Sequence, residues 1–358
     1  MRLSPAGVRP PGGACASSHK ERDKPAADRR SGLVFYLPPG GGPMIVDGHC
    51  DTLWAAAREG RDWIQRGCRG HADLPRFLEA GVNIQFMAIF SDPAHQGPGY
   101  ALKALEMIER FYSGIERASR EGLAATGVVL RRSDVRRARG GFWGLLSIEG
   151  GEAVGRSIEA LLAFFRLGVR AMGLVWNHRN PLADGVWDDA GGGLTPFGKE
   201  VVRVMQEVGM IVDVSHLSER GFWDVIRVSR APVIASHSNA RALCDHPRNL
   251  TDPQLRALAD TGGVVGITFC PAFLSAGGKA GIERVVDHIE HAVAVAGAGA
   301  VGLGSDFDGF DGTVPGLEDV TGLSALADAL RARGFTPDEV AMIMGENWAR
   351  LLERALPE

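Results

Sequence analysis

Asp47-Gly48-His49-Cys50-Asp51 sets an imidazole and a carboxylate two residues apart at the end of an apolar run, Met44-Ile45-Val46. Side chains alternate faces along a strand, so His49 and Asp51 emerge on the same side. One neutral nitrogen beside one anionic oxygen suits a divalent cation. His-x-Asp alone is common by chance. It gains weight because later apolar runs end in matching residues: Ser147-Ile148-Glu149-Gly150-Gly151, Trp176-Asn177-His178, Asp213-Val214-Ser215-His216, Ala235-Ser236-His237-Ser238 and Ser305-Asp306-Phe307-Asp308-Gly309. A single strand-end histidine is more often a core or capping residue, and Asp306 or Asp308 could simply cap a turn before Gly309. Their recurrence at successive run ends favours a site.

The elements that must position these residues are short and regular. Eight β-branched, unbroken runs read as strands: Met44–His49, Val82–Ile89, Phe142–Ile148, Val169–Trp176, Val208–Val214, Pro232–Ser236, Val264–Phe269 and Ala300–Ser305. Such runs are expected of parallel strands buried on both faces. Between them, Tyr100–Glu121, Ser157–Leu167, Pro196–Glu207, Glu219–Ser229, Pro253–Asp260 and Gly281–Ala296 have helical character. The alternation predicts a (β/α)8 TIM-type barrel with extra C-terminal helices packed outside it; a doubly wound open sheet is the alternative. In a barrel the strand ends share one face, so His49, Asp51, Glu149, His216, His237 and Asp306 would converge. In the tail, Thr336-Pro337-Asp338-Glu339 reads as a helix start: a hydroxyl cap, proline first, then acids near the positive end of the dipole.

His49, Asp51, Glu149, His216 and His237 are five ligands, more than a closed mononuclear site uses. That surplus fits two zinc-like ions. Glu149, with two oxygens, is the natural bridge; His49 and Asp51 would complete one ion's set, His216 and His237 the other's. A hydroxide between the ions would be the nucleophile, and Asp306 would take its proton and pass it to a leaving nitrogen. His19, His71, His95, His246, His288 and His291 fall in arms, loops or helices and read as structural.

Composition bounds the alternatives. The chain has 358 residues, 45% hydrophobic and 23% charged, and a net charge of −4, which gives no sign of nucleic-acid binding. No apolar run is long enough to span a bilayer. The cysteines, Cys15, Cys50, Cys68, Cys244 and Cys270, form no CxxC pair or regular framework, which suggests reduced thiols and a cytoplasmic protein. Residues 1–43, rich in Pro, Gly, Arg and Lys, read as a disordered arm preceding a catalytic domain over 44–358. Met44 opens the first strand and could be the true start of translation.

Taken in order, the motifs resemble the membrane dipeptidase (renal dipeptidase) family, the zinc dipeptidases of peptidase family M19. Asp47-Gly48-His49-Cys50-Asp51 matches its Asp-Gly-His-x-Asp opening, and Ile148-Glu149-Gly150-Gly151 its Glu-Gly-Gly. Leu194-Thr195-Pro196-Phe197-Gly198 resembles its helix start, and Gly316-Leu317-Glu318-Asp319-Val320 its late loop. Asp213-Val214-Ser215-His216, Pro232 to Ser238 and Asp306-Phe307-Asp308-Gly309 follow in the family's order. The resemblance implies an amidohydrolase-type barrel holding two Zn2+ on the five ligands named above. It implies hydrolysis of dipeptides with a free C-terminal carboxylate, tolerance of a D-residue there, and a homodimer. It also assigns His178 to polarising the scissile carbonyl and steadying the oxyanion, and Arg248 to gripping the substrate carboxylate.

Departures from the family accompany the likeness. No signal peptide or lipid-anchor signal is recognisable, so attachment to a membrane is not expected. Cys270 stands where animal members are expected to carry a tyrosine, which puts specificity in question. The fourth strand lacks the lysine that relatives with a carbamylated bridge require. The alternatives are another metal-dependent hydrolase, acting on an N-acyl amino acid, lactone or ester, and a binding protein on a decayed scaffold.

Overall fold

The computed structural model describes residues 43–94 and 97–358. Apart from Pro43, the expected arm lies outside the described residues, as does His95. Among the described residues nine parallel strands form: β1 (Val46–Cys50), β2 (Ile84–Phe90), β3 (Thr126–Val128), β4 (Phe142–Glu149), β5 (Val169–Gly173), β6 (Ile211–Asp213), β7 (Val233–Ile234), β8 (Val265–Ile267) and β9 (Val301–Leu303). Eight of them run in the order β7-β6-β5-β4-β2-β1-β9-β8, with β3 a short spur on β4. Ala235, just past β7, bridges Val265 of β8 and nearly closes the ring. The Ala235 amide donates to Val264 O (3.1 Å) and the Gly266 amide to Ala235 O (2.8 Å). The result is a (β/α)8 barrel rather than an open sheet, with its helices outside.

Helices start where the sequence supplies caps. Ser157, Thr195 and Ser218 each accept a backbone N–H three residues on. At Thr336 the full reciprocal box forms, Glu339 Oε2 accepting the Thr336 amide at 2.8 Å. The tail departs from expectation. The helix Asn347–Ala355 does not simply lie against the wall; it closes the bottom of the barrel. Trp348 is fully buried and its indole N–H donates to Leu303 O (2.9 Å). Glycines make room for it: a Cβ on Gly48 would lie 2.5 Å from the indole, and one on Gly302 2.4 Å. Around it a lower core gathers Val46, Ile84, Phe86, Leu145, Ala171, Ile211 and Ile234 from successive strands.

The upper end is built for side chains rather than ladders. Among the described residues, four non-glycine residues adopt positive φ: Asn177 (55°), His216 (69°), Asp306 (65°) and Asp308 (67°). That conformation is costly for residues with a Cβ and collects at functional sites. All four lie just beyond strand ends on one face.

Candidate metal centre and cavity

The strand ends bring all five expected ligands, and Asp306, to one point. His49 lies in β1 and Asp51 one residue past it; Glu149 ends β4; His216, His237 and Asp306 each lie three residues beyond β6, β7 and β9. His49 Nε2 lies 3.3 Å from Asp51 Oδ2, 3.6 Å from Glu149 Oε2 and 4.0 Å from Asp306 Oδ1. The other Glu149 oxygen, Oε1, lies 2.9 Å from His216 Nε2 and 3.6 Å from His237 Nε2. Glu149 thus shows one oxygen to each half of the cluster. All six residues are buried.

A supporting layer fixes which nitrogen of each ring faces inward. Asn177 Oδ1 accepts from His216 Nδ1 (2.7 Å). Ser236 Oγ donates to Asp213 Oδ2 (2.5 Å) and so accepts from His237 Nδ1 (2.8 Å). Asp213 is anchored in turn by the Ser215 and Ser236 amides. Both rings then turn their Nε2 lone pairs inward, and those nitrogens are only 2.9 Å apart. Two facing acceptors repel unless a cation lies between or beside them. This outer-partner arrangement is the one metal-ligating histidines use. Asp47, also buried, ties the end of the first strand to the last, accepting from the Ser305 amide and hydroxyl (2.7 and 2.6 Å) and from Gln85 Nε2 (2.8 Å).

Three further observations fit divalent metal. His49 Nε2 and Asp51 Oδ1 are buried without a hydrogen-bond partner. Asp51 occupies the N-cap of the helix Thr52–Glu59, yet makes no capping bond, so its carboxylate faces the site instead. Gly309 leaves the space open: a Cβ there would lie 2.3 Å from Asp306 Oδ1 and 2.4 Å from Asp51 Oδ2.

Electrostatics agree with the ligand roles. Burial, then the Arg248 guanidinium, lowers His216 to about 4 despite Glu149, and burial with the charge of His49 holds His237 well below the usual range. Both rings are therefore neutral, the state that binds metal. Burial would raise Glu149, but charge on the neighbouring His49 ring keeps it below the usual carboxylate range. Burial lifts Asp306 to about 8, opposed by His49 and Arg248 and reinforced by Asp51 and Glu149.

Above the cluster opens a cavity of about 340 Å3, lined by Trp54, Phe90, Trp176, Asn177, Trp187 and Phe273 as well as the polar centre. Arg248 is brought in with the ligands. Its guanidinium lies 3.1 Å from both His216 Nε2 and His237 O and 5.4 Å above the Phe273 ring, and its Nε is buried without a partner. Cys270 lines the same wall.

His178 is not brought in. Its side chain is 58% exposed, pairs with Asp188 at 3.0 Å and does not line the cavity. Trp176 and Asn177, its neighbours, occupy the wall. Sequence reasoning missed Asn177, and missed the Asp213-Ser236 relay; the signal available was two polar residues close before the expected ligand histidines, Asp213 three residues before His216 and Ser236 immediately before His237.

A parallel barrel whose strand ends gather three imidazoles and three carboxylates around unpartnered ligand atoms is the framework of a metal-dependent hydrolase. The chain belongs to the membrane dipeptidase family (peptidase family M19), whose model it matches over residues 43–356. Among solved structures, dipeptidase AC, a metallopeptidase of family M19, is 35% identical with a TM-score of 0.82, over 88% of this chain and 99% of that one. A metallopeptidase from Rhodobacter sphaeroides, liganded with a phosphinate mimic of the dipeptide L-Ala-D-Ala, is 34% identical with a TM-score of 0.80, over 87% and 99%. An uncharacterized protein in the pqqA 5′ region of Klebsiella pneumoniae is 41% identical over 217 residues, 58% of this chain and 79% of that one.

Proposed function

We propose that this member is a binuclear zinc dipeptidase that cleaves dipeptides with a free C-terminal carboxylate and tolerates a D-residue at that position. The observation that carries the reading is Arg248, a buried guanidinium placed against the ligand histidines and short of hydrogen-bond partners. A cation so placed pairs bidentately with a carboxylate one residue beyond the scissile bond. The R. sphaeroides complex with an L-Ala-D-Ala mimic supports the D-residue.

His49, Asp51, Glu149, His216 and His237 would hold the ions, with Glu149 shared between them. When bound, divalent ions supply Lewis acidity to the carbonyl and to water, and positive charge that favours the ionised form of Asp306. Asp306 takes the proton of the attacking water at its carboxylate and returns it to the leaving amide nitrogen. Arg248 orients the substrate by its carboxylate, and the aromatic walls exclude bulk water. The role expected of His178 finds no support in the geometry, because its ring is turned to solvent beside Asp188.

Unpaired Cys50, Cys68, Cys244 and Cys270 support a cytoplasmic location, and no described helix is long and apolar enough to cross a membrane. A homodimer is the expectation carried by the family.

The test is metal content and activity on one sample. Zinc-loaded wild type and Asp306→Asn are assayed on L,L- and L,D-dipeptides. About two metals per chain, with turnover lost in the variant while metal is retained, is the expected result. Activity untouched by Asp306→Asn overturns the assignment of roles. Arg248→Ala separates the reading from an ester or lactone hydrolase, since it should cost a dipeptide about a hundredfold in kcat/KM and a neutral ester little.

A further inference from the structure

The dipeptidase reading gives every charged group lining the cavity a task except one. Asp51, Glu149, His216 and His237 are ligands, Asp306 handles the proton and Arg248 takes the carboxylate. Asp92 remains. It lies two residues past β2, on the wall that Trp54 and Phe90 form. The Trp54 indole N–H donates to Asp92 Oδ2 (3.2 Å) and the Ala94 amide to Oδ1 (2.8 Å). These bonds hold the carboxylate in place but leave its charge uncompensated. No cation lies within ion-pair distance of it among the described residues. Lys103, which borders the adjoining recess of about 290 Å3 together with Asp92, is engaged by Glu106 at 2.6 Å. Arg58 lies over the Trp54 ring, 5.0 Å from its centroid.

The wall beside Asp92 consists of ring faces and edges. Trp54 meets Phe90 edge-on (5.4 Å), and Phe90 meets Trp176 edge-on (5.0 Å). A continuous aromatic surface ending in a fixed carboxylate matches an apolar stem carrying a positive head. Arg248 and Asp92 then mark the two charges of a zwitterionic substrate, the carboxylate at one and a cation at the other.

We propose that Asp92, with Trp54 and Phe90, is a specificity site for positive charge on the amino-terminal residue of the substrate. The inference rests on the dipeptidase reading. The cation has two sources, the α-ammonium of any dipeptide or the side-chain ammonium of an amino-terminal lysine, and the experiment separates them.

Wild type and Asp92→Asn, which keeps an acceptor for the Trp54 indole, are compared by kcat/KM on matched pairs. Lys-Ala against norleucyl-Ala isolates the side-chain charge, and Ala-Ala against propionyl-Ala isolates the α-ammonium. The expected result is that wild type favours the charged member of at least one pair by about tenfold, mainly through KM, and that Asp92→Asn brings that ratio close to one. The pair that responds identifies the source. Ratios identical in wild type and Asp92→Asn, or a wild-type preference for the uncharged members, overturn the proposal while leaving the dipeptidase reading intact. A zinc-loaded wild type that hydrolyses none of the four overturns both. A phosphinate analogue of Ala-Ala, with and without its amino group, gives the same comparison as a binding constant.

Discussion

Gly309→Ala isolates the fit of the metal centre from the stability of the barrel. Gly309 does not adopt a positive φ, so alanine adds no backbone strain. Its methyl would lie 2.3 Å from Asp306 Oδ1 and 2.4 Å from Asp51 Oδ2. Ordinary contact requires roughly 1 Å more, and a carboxylate at the end of a side chain yields more readily than backbone. The fold should therefore absorb the change for about 1 kcal/mol or less, a shift of about 3 °C or less in Tm for a domain of this size. The site cannot absorb it, because in the proposed mechanism one of the displaced groups is a ligand and the other the proton carrier. A displacement of about 1 Å costs on the order of a hundredfold in rate, and a disturbed ligand costs about ten- to a hundredfold in metal affinity. The measurements are kcat/KM at saturating zinc, zinc affinity by chelator competition, and Tm of the metal-free protein. Loss of function with an unchanged metal-free Tm is expected. Wild-type zinc affinity and turnover in Gly309→Ala would refute the argument, as would a metal-free protein that no longer folds.

Other residues give sharper readouts of single interactions. Ser236→Ala removes the acceptor that orients His237 and breaks its link to Asp213; zinc affinity should weaken by about ten- to a hundredfold with the Tm of the metal-free protein little changed. Trp348→Ala empties the bottom of the barrel and should cost about 4 kcal/mol in denaturant unfolding; a loss below about 1 kcal/mol would mean the lower core closes without it. His288 is buried, accepting the Ala240 amide at Nδ1 (3.2 Å) and donating from Nε2 to Leu274 O (3.0 Å). Burial lowers it to about 4 from 6.5, so the unfolded chain takes up the proton first. Its contribution is complete above about pH 6.5 and is lost as the pH falls toward 4, up to about 3 kcal/mol. Metal-free His288→Gln should show a correspondingly shallower fall in urea midpoint across that window, and parallel profiles would exclude His288 as its source.

The barrel was legible because strands buried on both faces appear as unbroken apolar runs, and because each run that mattered ended in a polar residue. His49 and Asp51 followed from the two-residue period of a strand. His178 shows where that period stops being useful. β5 ends at Gly173, so nothing in the spacing decides which of Trp176, Asn177 and His178 faces the cavity. The answer depends on Asn177 adopting a positive φ and reaching His216, a contact between distant parts of the chain. Asp213 and Ser236 were read only as strand ends, since their bond joins two strands that are neighbours in space. The C-terminal helices were expected outside the barrel; the place of Trp348 inside the ring depends on Gly48 and Gly302, whose contribution is empty volume.

The plug formed by Trp348 also bears on how the molecule is made. The first strand pairs on one side with β2, formed soon after it, but on the other with β9. The floor that both share arrives later still, with the helix Asn347–Ala355. During synthesis β1 therefore leaves the ribosome with one apolar flank uncovered, and stays so while most of the chain is translated. Contacts this remote in sequence make folding slow and expose edges to aggregation. A nascent chain of this architecture is a natural client for chaperones, and its window of vulnerability closes only when the tryptophan that seals the floor has emerged.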